Sequence, residues 1–173
     1  MHIIDLSREI HHRAPAHPSH PPVIITVWND HSEIKRAGKT EFTSKSLSIS
    51  MSDHSCTHVD APVHFNPDPN APSIDEIPLE NFYTEAICLD LSPAPRNHEA
   101  TVAEMEAALE ASGETIKPGD TVMIYMGIHN ELYGSPDYVH EFPGLSVEAV
   151  HWLADHKITM FGVEAVSPAP EGE

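Results

Sequence analysis

The chain has 173 residues, 40% of them apolar and 21% charged, and carries nine basic against 27 acidic side chains for a net charge of −18. That size fits one soluble globular domain, and no run approaches the roughly 18 apolar residues that a membrane helix needs. A field of this sign repels phosphate backbones and so argues against nucleic acid as a partner.

Met1-His-Ile-Ile-Asp-Leu-Ser lacks a basic stretch leading into a long apolar one, so no secretion signal is read. Two cysteines, Cys56 and Cys88, are too few for a disulfide framework, and the expectation is a cytoplasmic protein. Fourteen histidines are an unusual number. Those at 11, 12, 17 and 20 sit beside prolines, where an exposed or structural role is the ordinary one.

In chain order, residues 2–6 predict a short strand on Ile3, Ile4 and Leu6. Residues 14–22 must be loop, since four prolines remove amide donors and fix φ. Val23 to Trp28 is β-branched and predicts a strand. From Ser44 to Ser52, Leu47, Ile49 and Met51 alternate with serines, the period of a strand with one face in the core. Asp68 to Pro72 reads as a turn, and Glu85 to Leu91 as a buried strand.

The clearest helix runs from Thr101 to Ser112. Thr101 and Glu104 are spaced for a capping box, Val102, Met105, Ala108 and Leu109 form an apolar stripe, and Gly113 stops it. Lys117-Pro-Gly-Asp120 turns the chain into a strand at 121–126. A second helix is expected over 146–156, capped by Ser146, with Val147, Val150, Trp152 and Leu153 available for packing. A strand over 157–163 follows it. Helices placed between late strands give an α/β or mixed α+β class with some parallel pairing.

The chemistry concentrates in His54-Ser-Cys-Thr-His58-Val-Asp60-Ala-Pro62-Val-His64. If this stretch continues the preceding strand, its even-numbered His54, His58, Asp60 and His64 all point to one side. Imidazole and carboxylate together suit zinc, manganese or non-haem iron, and three protein ligands leave positions open for water. His64 could be a fourth ligand or a base that handles protons. The plainer alternative is a set of histidines that only hydrogen-bond on a polar face.

These residues resemble the cyclase-like family of metal-dependent hydrolases, which includes bacterial kynurenine formamidases and isatin hydrolases. The family pattern is H-x-G-T-H-x-D-x-P-x-H, and the chain reads H-S-C-T-H-V-D-A-P-V-H. Asp5-Leu-Ser7, Asp90-Leu-Ser92, Lys117-Pro-Gly-Asp120, Phe142-Pro-Gly-Leu-Ser146 and the stretch from Phe161 to Pro168 also look like the family. The resemblance implies a swivelling β/β/α fold in one domain over 1–173. Family members run on past the Ser167-Pro168 region, so either a fragment or a C-terminally shortened member is expected.

Carried over residue by residue, the resemblance implies that His54, His58 and Asp60 bind a divalent ion such as Mn2+ or Zn2+, with His64 as acid–base catalyst. The implied reaction is hydrolysis of a non-peptide C–N bond in an aryl formamide or small cyclic amide by metal-activated water. Trp28, His31 and Phe65 could wall a substrate pocket or belong to core or surface. Cys56 departs from the family glycine, a residue that permits φ > 0. The alternative function is a metal-binding relative with weak or no turnover that acts in binding or assembly. Small-molecule amides are the expected partners, together with further copies of the chain in a dimer or tetramer.

Overall fold

The structure is a computed structural model that describes residues 2–170. The described chain divides into two compact units, with the boundary between Val59 and Asp60. No helix among the described residues is long and apolar enough to cross a membrane.

The first unit is built on two small antiparallel pairs. Strand β1 (Ile24–Asn29) pairs with β4 (Ser46–Ser50), and β2 (Lys35–Ala37) with β3 (Thr40–Phe42). β1 and β4 were legible from their β-branched and alternating patterns; the short β2–β3 hairpin was not. Residues facing each other across an antiparallel pair share a face. Ile25 opposes Ile49 and Val27 opposes Leu47, so one side of the β1–β4 ribbon is wholly apolar.

That face corrects one expectation. Leu47 and Ile49 remain 51% and 54% exposed, so their alternation marks a strand without marking a core. A second correction concerns residues 2–6, which form no strand and leave Ile3, Ile4 and Leu6 exposed. A strand needs a ladder partner, and none among the described residues pairs with this segment. Locally, the Asp5 carboxylate accepts both the amide and the hydroxyl of Ser7. The proline-rich segment 14–22 is irregular, as expected. Its ends are tied by the Arg13 amide donating to the Val23 carbonyl at 2.8 Å, and Val23 is fully buried.

The second unit is a parallel sheet under helices. Strands β5 (Ala86–Asp90), β7 (Thr121–Tyr125) and β9 (Met160–Val163) lie side by side in that order, all parallel. Parallel neighbours need a crossover, and α1 (Val102–Ser112) and α3 (Val147–Asp155) supply the two helices. A two-residue strand, β6 (Glu99–Ala100), pairs with β8 (Gly144–Leu145). The short helix α2 (Ile128–Leu132) follows β7.

Both long helices start as their sequences dictate. The Glu104 amide is held by the Thr101 hydroxyl, while the Glu104 carboxylate accepts the Thr101 amide at 2.7 Å, which closes the capping box. Gly113 ends α1 in the left-handed conformation at φ 70°. The Ser146 hydroxyl accepts from the Ala149 amide at the start of α3.

Leu89, Val122 and Ile124 of the sheet meet Met105 and Ala108 of α1 and Ala149 and Leu153 of α3 in one core. Val147, expected to pack, stands exposed at the first position of α3. β5 was expected to be buried throughout. Its alternation instead buries Leu89 and leaves Cys88 exposed, because the helices cover one face of the sheet. A second cluster joins Ile128, Leu132, Tyr138 and Phe142. Glu164, which no spacing had assigned, accepts the Ile128 and His129 amides and so caps α2.

Candidate metal centre

After β4 the chain leaves the sheet, and residues 53–57 run through successive turns and bends. This overturns the strand-parity reading of residues 54–64. The Ser55 amide donates to the Ser52 carbonyl at 3.2 Å, and Cys56 takes φ 58°. A left-handed turn, rather than strand alternation, folds the segment back. Cys56 therefore stands in the conformation that glycine adopts freely and that costs an L-residue about 1–2 kcal/mol.

The turn still delivers the expected grouping. One ligand atom each from His54, His58 and Asp60 lies within 4.8 Å of the others. Metal–nitrogen bonds of about 2.0–2.1 Å put two ligands of one ion at most about 4 Å apart. Small side-chain rotations therefore close this group around an ion, and two imidazoles with a carboxylate are a fitting donor set.

Hydrogen bonds around the group orient it. His58 Nδ1 lies 2.9 Å from the Cys56 carbonyl oxygen, which can only accept. Nδ1 must then carry the ring proton, and Nε2 is left as the ligating atom. The His54 amide donates to the Ser52 hydroxyl at 3.2 Å, and that hydroxyl donates to Asp53 at 3.1 Å. The Ser52 hydroxyl bond is the main cause that holds the Asp53 carboxyl below its ordinary range. The rings of His54 and His58 meet edge to face with centroids 5.4 Å apart.

Cys56 is not one of the grouped residues. Its Sγ faces the Glu9 carbonyl at 3.8 Å, and burial raises its thiol pKa above the usual value. The Thr57 hydroxyl accepts the Arg8 amide at 2.9 Å, so the N-terminal segment braces the turn. Ser55 is buried, and its hydroxyl has no hydrogen-bond partner among the described residues.

His64 closes a 3₁₀ turn over Pro62–His64, and its ring packs edge to face on Phe65 with centroids 4.1 Å apart. Phe65 is 80% exposed, and Trp28, on β1, is 73% exposed. His31 pairs its Nδ1 with the Thr43 hydroxyl at 2.9 Å.

One residue was missed. The ring of His20 lies 5.0 Å from that of His54, tilted by 30°. No sequence spacing connects positions 20 and 54. Only the concentration of histidine in a proline-fixed loop pointed towards it.

The Cyclase family model matches residues 4–170 of the chain. A kynurenine formamidase from Salinibacter ruber is 27% identical over 180 residues, which cover 98% of this chain and 72% of that protein. Among solved structures, isatin hydrolase A from Ralstonia solanacearum is 25% identical with a TM-score of 0.77, covering 96% of this chain and 68% of the other. Isatin hydrolase A from Labrenzia aggregata, bound to benzyl benzoate, is 24% identical with a TM-score of 0.78 over 96% and 69%. A novel cyclase gives a TM-score of 0.80 at 16% identity, covering 98% of this chain and 66% of its own. The chain thus shares a mixed α/β fold with these proteins and spans about two thirds of the solved structures' length.

Proposed function

Because the chain belongs to the Cyclase family, we propose that it is a metal-dependent hydrolase of non-peptide C–N bonds. Its substrate is an aryl formamide or a small cyclic amide, of the N-formylkynurenine or isatin kind. The observation that carries this reading is the group of His54, His58 and Asp60, with His58 Nδ1 committed to a backbone carbonyl.

When bound there, a divalent ion such as Mn2+ or Zn2+ supplies Lewis-acid polarisation of a carbonyl and acidification of water. His54 and His58 hold the ion through imidazole nitrogen, and Asp60 adds the negative charge that neutralises part of it. The Cys56 carbonyl keeps His58 in its ligating tautomer. His64 accepts the proton of the attacking water and returns it to the leaving amide nitrogen, so that the nitrogen departs as a neutral amine. Trp28 and Phe65 offer exposed aromatic faces on which an aryl substrate can lie.

The reading includes self-association into a dimer or tetramer. It is supported by the apolar face of Ile25, Val27, Leu47 and Ile49, which is a large surface to leave in water. A monomer by light scattering contradicts that part.

The test of function is hydrolysis of N-formylkynurenine and of isatin by the metal-loaded protein and by His64→Ala. Loss of an acid–base group predicts a fall in kcat of about 100-fold or more, with metal content unchanged. Equal background rates for both proteins would contradict catalysis and favour a protein that binds metal without turnover.

A further inference from the structure

Residues 10–29 contain no aspartate or glutamate, although the chain carries 27 of them. Within this segment lies a cavity of about 370 Å³, walled by Arg13, His17, Pro18, His20, Pro22 and Ile24 among others, with no acidic residue in its lining. We infer that this pocket binds a carboxylate group carried by the substrate, with Arg13 as the determinant of specificity. The inference rests on the hydrolase reading for what the carboxylate is attached to. The pocket itself stands on its own geometry.

Three observations combine. First, the Arg13 guanidinium has no carboxylate partner among the described residues, in a protein with three acids for every base. Arg36, Arg96 and Lys117 are each engaged by glutamates. An arginine kept clear of acids at the wall of a cavity is available to an anion, and its planar fork matches a carboxylate.

Second, the donors of the wall are arranged. The Ser19 amide donates to His17 Nδ1 at 3.3 Å, and the Ser19 hydroxyl sits 2.7 Å from the same nitrogen. An Nδ1 that accepts leaves the ring N–H on Nε2, so His17 offers a donor there. The prolines hold this wall rigid, since 15, 18, 21 and 22 fix φ along it. Pre-ordering of this kind lowers the cost of binding.

Third, the pocket adjoins the ligand set. His17 and His20 rings lie 5.8 Å apart, and His20 in turn lies 5.0 Å from His54. A carboxylate held by Arg13 and His17 is therefore one imidazole away from a metal ligand. The pocket then favours amides that bear an acidic group over neutral cyclic amides. The chain as a whole, at −18, repels anions, so this patch supplies the local attraction that an acidic substrate needs.

The experiment is calorimetric titration of the metal-free full chain with anthranilate, and with its neutral analogue anthranilamide. Wild type, Arg13→Gln and Arg13→Lys are compared after matching their circular dichroism. Without metal, carboxylate binding reports the pocket alone. The expected result is anthranilate binding that weakens about tenfold or more in Arg13→Gln, with partial recovery in Arg13→Lys and little binding of anthranilamide throughout. Failure of wild type to bind anthranilate overturns the inference, and so does binding that Arg13→Gln leaves within about twofold. Turnover is read separately on the metal-loaded protein. Arg13-dependent binding without turnover sinks the hydrolase reading and keeps the pocket, whereas turnover with binding indifferent to Arg13 does the reverse.

Discussion

The two units bury their apolar residues to different degrees. Around β5, β7 and β9, apolar side chains reach full burial, and α1 and α3 each start on their own capping side chain. In the β1–β4 ribbon, the equally apolar Val27, Leu47 and Ile49 stay more than half exposed. The same period-two pattern therefore yields a core in one place and only a ladder in the other. What separates them is the presence of a covering helix, which strand periodicity does not encode.

The comparison breaks if the two regions respond alike to truncation. Leu89→Ala, in the core, should cost about 2–5 kcal/mol of unfolding free energy. Leu47→Ala, in the ribbon, should stay within about 0.5 kcal/mol for the chain on its own, with a larger loss only where a second copy covers the face. Urea denaturation of both variants measures the difference, and comparable losses would mean that the exposed face is covered in solution.

A smaller effect is expected at the start of α1. Thr101→Ala removes one half of the capping box and should destabilise by about 1 kcal/mol. The pH dependence follows from its partner. Glu104 is held below the ordinary carboxyl range, first by the Thr101 amide and then by the Thr101 hydroxyl. A lowered folded-state pKa means stability that is present above the unfolded value near 4.5 and is lost as pH falls through the folded one. The gap in thermal midpoint between wild type and Thr101→Ala should therefore narrow as pH falls from the unfolded value near 4.5 through the folded one, because the hydroxyl's share of the carboxylate stabilisation is lost. A gap that persists unchanged in acid would assign the cap to the hydroxyl alone.

A further small effect is expected at the turn around Cys56. Cys56→Gly relieves a left-handed conformation and should raise stability by up to about 1 kcal/mol, the strain being partly offset by glycine's greater freedom when unfolded. A loss of stability on this change would show that the thiol contact to Glu9 outweighs the strain.

Much of the framework was legible because its signals are local. Thr101 to Glu104, Gly113 and Ser146 act over three or four residues, and the structure shows each where its spacing implied. Some parallel pairing was expected from helices lying between strands, and β5, β7 and β9 show it; their order was not read. The candidate ligands were legible as residue types, and their grouping was expected, but the local geometry that brings them together was not. Strand parity was the wrong device; the positive φ at Cys56 does the folding, and only the glycine that stands there in the family pattern hinted at it. His20 was illegible because its nearness to His54 depends on tertiary placement of a loop. The first strand failed for a related reason, since a ladder needs a partner that no segment announces about itself.

The central claim is that His54, His58 and Asp60 hold a divalent ion. The most direct measurement is metal analysis of untagged protein after dialysis against Mn2+ or Zn2+, alongside His58→Ala. The account predicts about one ion or more per chain in wild type and loss of most of it in the variant, with the circular dichroism retained. A wild-type protein that emerges metal-free, or a His58→Ala variant that keeps the full complement, would contradict it.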